Sequence, residues 1–173
     1  MKPIFILIFI LVFIFFENEL GYTGIFPLWK HLAFHFQHSN FLHLLINSVC
    51  FCFVFKSLRV FVRSRTIILV SLTAATAASF FCCYDIPVVG ASAMIYAMIG
   101  MLIIIFWRKG YFRQKAFFKN FALWLCCITL SLTISFFKTN SATMLHLISL
   151  FSGGIIYFLL CLLFTKKKNR ISQ

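Results

Sequence analysis

Long apolar runs separated by short basic clusters constrain this sequence more than any other feature. Hydrophobic residues make up 62% of the 173 residues, and charged residues make up only 11%. Soluble proteins carry about 25% charged residues, so the chain is not built to face water on all sides. The 25 phenylalanines suit helices that face lipid. We therefore predict an all-α, polytopic membrane protein, in which each helix satisfies its own backbone hydrogen bonds.

Six apolar segments are candidates for transmembrane helices. The first, behind Met1 and Lys2, also resembles a signal peptide, but no good small-x-small cleavage site follows it, which favours an uncleaved helix. We predict one domain over residues 1–173 that forms a six-transmembrane-helix bundle. The predicted helices cover about residues 3–17, 41–55, 66–83, 92–107, 120–137 and 143–165.

The placement of charge predicts an orientation and argues against one class of partner. A net charge of +13 could indicate nucleic-acid binding, but the basic residues stand between the apolar runs and at the C-terminus. With the N-terminus inside, every basic residue except Lys30 and Lys138 lies on the inner side. The acidic residues Glu17, Glu19 and Asp85 then lie outside. The positive-inside rule predicts that both termini are cytoplasmic, and the partner we expect is the lipid bilayer rather than nucleic acid.

Several polar residues interrupt the apolar helices at similar depth. Ser92, preceded by Gly90, opens the fourth helix, and His146 lies one turn into the sixth. His43 and Asn47 open the second helix from the same, outer side. A serine at a helix start often only caps the helix, but polar residues inside a membrane are costly and are functional candidates. The sequence therefore predicts a polar site that opens to the outer side.

These residue types suit the hydrolysis of a peptide bond. The reaction needs a nucleophile, a base and donors for the developing oxyanion. Ser92 can supply the hydroxyl, His146 the base, and His43 and Asn47 the side-chain N–H donors. Because the helices contain no acidic residue to orient His146, we expect Tyr96, one turn after Ser92, to hold the ring by stacking.

Small residues favour a close approach of the fourth and sixth helices. Gly100 lies two turns after Ser92, and Gly153 lies two turns after His146 on the same face. Small residues at such positions let membrane helices pack with their backbones close together. We expect this packing to bring Ser92 and His146 within hydrogen-bond reach.

Three sequence blocks in a fixed order carry a resemblance to a known family. The blocks are His38-x4-His43-x3-Asn47, then Gly90-Ala-Ser92-Ala with Tyr96 and Gly100, then His146 with Gly153. In these blocks the chain resembles the rhomboid intramembrane serine proteases of the minimal six-helix type found in bacteria.

The resemblance implies a role for each matched residue. Ser92 and His146 would form a catalytic dyad, and His43 and Asn47 would occupy the oxyanion-hole positions. Tyr96 would be the aromatic residue under the histidine, and His38 a structural hydrogen-bond partner in the first loop. The resemblance also implies a bacterial inner-membrane protein that cleaves transmembrane substrates without a cofactor or metal. The identity of the substrate, the cleavage site and the oligomeric state stay open.

Two alternatives compete with a protease. One is a catalytically inactive relative that binds membrane proteins, although the retention of Ser92 and His146 argues against it. The other is a metal transporter that uses His31 and His35, which are four residues apart. No cysteine or carboxylate lies at depth beside these histidines, as a metal pathway would usually require. We expect His31 and His35 to form hydrogen bonds at the interface, and their role stays open.

Overall fold

The fold consists of helices joined by short irregular segments. A computed structural model describes residues 4–15, 20–113 and 140–171. This part of the chain contains no β-strand, which agrees with the predicted all-α class. The predicted helix 120–137 lies outside the described residues, and the six-helix bundle stays a prediction. The helices are α1 (Ile4–Phe15), α2 (Lys30–Ala33), α3 (Phe41–Arg59), α4 (Ser64–Ser79), α5 (Ser92–Arg108) and α6 (Asn140–Ile171), with a 3₁₀ helix at Tyr111–Arg113.

Most helix boundaries differ from the predicted ones by a few residues. α5 begins at Ser92 as predicted, whereas α3 continues past residue 55 to Arg59. Lys56 and Arg59 occupy the last turn of α3, where cations are favourable beside the negative end of the helix dipole. The segment between α3 and α4 is therefore shorter than residues 56–65, the gap between the two predicted helices. α4 lies slightly earlier in the chain than predicted, and α6 is longer at both ends.

Apolar helices support a membrane location. α3 and residues Ala142–Leu163 of α6 are long and apolar enough to cross a bilayer. α5 is also apolar but has only 17 residues, which gives a length of about 26 Å. α3 and α6 expose large apolar side chains, which suit contact with lipid: Leu45, Ile46, Val49, Phe53, Phe151, Ile155 and Leu159.

α5 is the central helix of the described fold. It packs against α3, α4 and α6, and its contact with α6 is the most extensive. Its side chains are buried along most of its length, from Ala93 to Leu102 and again at Ile105. A helix that is apolar all round is typical of a core position. Its first residue, Ser92, consequently begins inside the protein, beside α6.

Two glycines bring the backbones of α5 and α6 into contact. A Cβ atom on Gly153 would overlap the backbone of Ala97, and one on Gly100 would overlap the backbone of Leu150. No larger residue fits either position without moving a helix. The close approach expected from the small residues is therefore present at the crossing.

The segments that precede α3 and α5 are bonded to each other. Tyr22 and Val88 form an isolated antiparallel bridge, in which Val88 N donates to Tyr22 O at 2.9 Å. Gly90 N donates to Phe34 O, also at 2.9 Å. Through these bonds the loop after α4 is fixed against the segment that contains α2. Both segments meet at the end of the bundle where α5 begins.

Candidate active site

The side chains of Ser92 and His146 are in direct contact. Ser92 Oγ lies 2.8 Å from His146 Nε2, which is a hydrogen bond between α5 and α6. Ser92 does not cap α5, since Ala91 is the N-cap residue and no side-chain cap bond forms there. His146 is only 8% exposed, whereas Ser92 is partly accessible. The hydroxyl is therefore both paired with an imidazole and reachable from outside.

The ring of His146 is held by stacking. The Tyr96 ring lies 4.5 Å from it between centroids, with an interplanar angle of 20°. His146 Nδ1 is buried and has no hydrogen-bond partner among the described residues. Asp85 is the only acidic side chain in that part of the chain, and it is exposed in the loop after α4. Within the described structure, the His146 ring is therefore supported on its face by Tyr96, and no carboxylate accepts a hydrogen bond from Nδ1 as in a Ser-His-Asp triad.

Gly90 brings the backbone before Ser92 against α3. Its φ is 122°, a conformation that glycine adopts without the steric cost of a Cβ. A Cβ here would lie 2.8 Å from His43 Cε1 and 3.4 Å from Asn47 Nδ2. Asn47 Nδ2 is buried and has no partner within the described residues. A buried N–H without a partner is rare and calls for an explanation, and this one lies beside Gly90, two residues before Ser92.

Two residues that sequence analysis missed fix the start of α3. Asn40 caps the helix, because its Oδ1 accepts a hydrogen bond from His43 N at 2.8 Å. Ser39 Oγ lies 3.1 Å from His43 Nδ1. When the Ser39 hydroxyl donates to Nδ1, the ring proton of His43 is on Nε2, on the side of Gly90. An asparagine before an apolar run is a recognisable N-cap signal, but Ser39 has no such signal of its own.

His38 packs as an aromatic ring, and the structural hydrogen bond expected of it stays a prediction. Its ring centroid lies 5.2 Å from those of Phe9 and His43. Neither ring nitrogen bonds to a described residue. Burial, together with the nearby His43 ring, lowers the pKa of His38 to about 4. A neutral ring of this kind can join α1 to the start of α3 by apolar contact.

His31 and His35 fasten the α2 segment to α4. His31 Nδ1 lies 2.7 Å from Ser79 Oγ, and its Nε2 lies 3.0 Å from Ile25 O. His35 Nε2 lies 3.2 Å from Thr76 Oγ1. Both rings are buried rather than at an exposed interface. The described residues include no group of three His, Cys, Asp or Glu side chains that could hold a metal ion, so the transporter hypothesis has no ligand set there.

The candidate catalytic and oxyanion residues lie within a sequence range that matches a known family. The family model described as Rhomboid domain matches residues 26–163. This range includes the paired Ser92 and His146, both predicted oxyanion donors and the glycines of the α5–α6 crossing. No curated protein matches the chain with significance.

Proposed function

The chain belongs to the rhomboid family, and from that membership we propose that it is an intramembrane serine protease. The observation that carries the proposal is the 2.8 Å contact between Ser92 Oγ and His146 Nε2, with His146 stacked on Tyr96. A hydroxyl and an imidazole at this distance form the nucleophile and base of covalent catalysis. The substrates would be membrane proteins cleaved in or near a transmembrane segment.

The proposed reaction uses the two side chains in sequence. Ser92 Oγ attacks the carbonyl carbon of the scissile bond, and His146 Nε2 accepts the hydroxyl proton. The carbonyl electron pair moves to oxygen to give a tetrahedral oxyanion. As that intermediate collapses, the C–N bond breaks and His146 donates the proton to the leaving amine. Water then hydrolyses the acyl-enzyme with His146 again as base.

Asn47 and His43 are the proposed donors to the oxyanion. Both side chains lie against Gly90, two residues before the nucleophile. The Ser92 backbone N–H is a third candidate, since the first N–H groups of a helix have no intrahelical acceptor. Fixed donors aimed at the developing charge stabilise the transition state more than the ground state.

The proposed location of the site within a membrane constrains which substrates it can cleave. A transmembrane helix hides its carbonyls in internal hydrogen bonds, which must open before Ser92 can attack. Substrates would therefore carry helix-weakening glycine or proline near the cut. With the orientation proposed from the basic clusters, the site faces the outer side of a bacterial inner membrane and both termini are cytoplasmic.

The direct test is covalent labelling with a fluorophosphonate probe, followed by cleavage assays in proteoliposomes. The probe should attach to Ser92 with loss of fluoride in the parent protein. Ser92→Ala should remove both labelling and cleavage, and His146→Ala should reduce both to background. Ser71→Ala is a matched control, because Ser71 is a buried serine of α4 that bonds the backbone of Ile68. We expect it to keep both activities.

The same experiment tests the inactive alternative. A folded parent protein that neither reacts with the probe nor cleaves transmembrane substrates would favour a non-catalytic protein that binds membrane proteins. Labelling that persists in Ser92→Ala would assign the nucleophile to another residue.

A further inference from the structure

A cavity lies at the end of α5 opposite to Ser92. Its volume is about 540 Å³, within the range of small-molecule sites. The residues around it fall into two chemical groups. The rim includes the cations Arg63, Arg108 and Lys109, and the apolar wall includes Ile105, Leu160 and Cys161.

Among the residues that the structure describes, no acidic side chain pairs with the cations at the rim. The sequence contains three acidic residues, all before Pro87. Of these, Asp85 is in the described part and follows the other end of α4. Lys109 Nζ lies 4.9 Å from the centre of the Phe61 ring, which holds that cation at the rim. The cavity therefore presents concentrated positive charge to whatever enters it.

The apolar wall narrows the class of ligand. A free anion such as phosphate would be satisfied by the cations alone and would gain nothing from Ile105 or Leu160. An amphiphile would use both, with its charged group at the rim and its hydrocarbon along the wall of α5 and α6. Basic pockets between transmembrane helices are known to suit anionic lipid head groups.

We propose that this cavity binds one anionic glycerophospholipid. The lipid phosphate contacts Arg63, Arg108 and Lys109, and the first part of an acyl chain lies along Ile105 and Leu160. The site is separate from the Ser92–His146 pair, and the proposal holds whether or not the protein is a protease.

The test counts lipid adducts on the full chain in detergent by native mass spectrometry. The probes are phosphatidylglycerol and phosphatidylcholine with identical acyl chains. The variant R63Q/R108Q/K109Q removes the cations at the rim. The control K56Q/R59Q/R65Q removes the same charge from exposed residues at this end that do not line the cavity. We expect the parent to retain one phosphatidylglycerol, and the rim variant to lose affinity by about tenfold or more.

The control variant should lose no more than about twofold in affinity, because it keeps the rim cations. Equal losses in both triple variants, or equal retention of phosphatidylcholine by the parent, would overturn the proposal. An unchanged rim variant would overturn it as well.

Two further measurements separate binding from folding and a lipid from a free phosphate. R63K/R108K keeps the charge and should keep the lipid adduct. Leu160→Trp places a larger side chain in the space along the apolar wall, so it should reduce the lipid adduct although the cations remain. Glycerol 3-phosphate should not displace the lipid. If it competes as well as phosphatidylglycerol does, or if Leu160→Trp has no effect, the site recognises a phosphate alone and the lipid assignment is wrong.

Discussion

The two ends of the α5–α6 pair differ in how they accommodate polar groups. At the Ser92 end the polar side chains are partly or fully buried, and Ser92 and His146 bond to each other. At the other end Arg108 is exposed beside an open cavity. The glycine contacts at Gly100 and Gly153 lie between these ends. One pair of helices thus carries a largely buried polar site at one end and an exposed basic site at the other.

The difference follows from the cost of burial. A neutral hydroxyl or imidazole can be enclosed when it finds a hydrogen-bond partner. A guanidinium or ammonium group without a carboxylate cannot be enclosed at comparable cost, so it remains where water or an anionic ligand can reach it. The Ser92 end suits chemistry that needs fixed groups, and the Arg108 end suits recognition of a charged ligand. Each substitution below tests one group at the Ser92 end or at the helix crossing beneath it.

The largest effect is expected at Asn47, which is 5% exposed. Asn47→Ala should lower kcat by about 10²-fold, the usual cost of losing one oxyanion donor. KM should change little, because this hydrogen bond strengthens only as charge develops. Steady-state kinetics on a transmembrane substrate would measure both constants. Ser48→Ala, the same kind of truncation one residue later, is the control. An unchanged kcat in Asn47→Ala would remove this residue from the oxyanion hole.

The crossing between the two ends can be tested at two adjacent glycines. Gly153→Ala places a Cβ on the backbone of Ala97, whereas in Gly154→Ala the nearest atom would be Gly100 O at 3.3 Å. Overpacking of this kind costs about 1–3 kcal/mol, so Gly153→Ala should lower the unfolding free energy by that amount. Turnover should fall with it, because the helices that carry Ser92 and His146 must separate. Denaturant titration in micelles and a cleavage assay would measure both effects. Equal losses in the two variants would contradict a specific backbone contact at Gly153.

A smaller effect is expected from the ring beneath His146. Tyr96→Leu removes the stacked face, and Tyr96→Phe keeps it. An aromatic pair is worth about 0.5–1.5 kcal/mol, so the Leu variant should lose about two- to tenfold in kcat relative to the Phe variant. Comparable rates in the two variants would show that stacking does not position His146.

Much of the arrangement at the Ser92 end could be predicted from the sequence, because it depends on helical spacing. Ser92, Tyr96 and Gly100 follow one another at intervals of four, so their common face is fixed once the helix is recognised. His146 and Gly153, which are seven residues apart, likewise share a face of α6. The catalytic roles of Ser92 and His146 and the oxyanion roles of His43 and Asn47 stay predictions.

The loop contacts and the basic cavity could not be predicted, because they depend on contacts between distant parts of the chain. The bond from Gly90 N to Phe34 O and the bridge between Tyr22 and Val88 join loops that no local pattern relates. The basic cavity is similar, because nothing in the sequence indicates that Arg63 and Arg108 line the same space. The end of α3 was predicted too early for another reason. The apolar run ends before Lys56, but a cation is also favourable in the last turn of a helix, so the helix continues past it.

The smallest effect at neutral pH concerns His35, which follows α2 and bonds to Thr76 of α4. Its complete burial and the nearby His31 ring lower its pKa from 6.5 to about 3. Between these two pH values the unfolded chain binds a proton that the folded protein excludes, so stability decreases as the pH falls below about 6.5. At higher pH both states are neutral, and His35 contributes no pH dependence.

In His35→Gln the melting temperature should therefore decline less steeply between pH 7 and about pH 4 than in the parent. His38, whose pKa is also lowered, titrates in both proteins and cancels in the comparison. Thr76→Val is the control, because it removes the hydroxyl partner of His35 but keeps the titrating ring. It should lower the melting temperature while keeping the steep slope, and parallel curves for the parent and His35→Gln would show that this ring is not held neutral against α4.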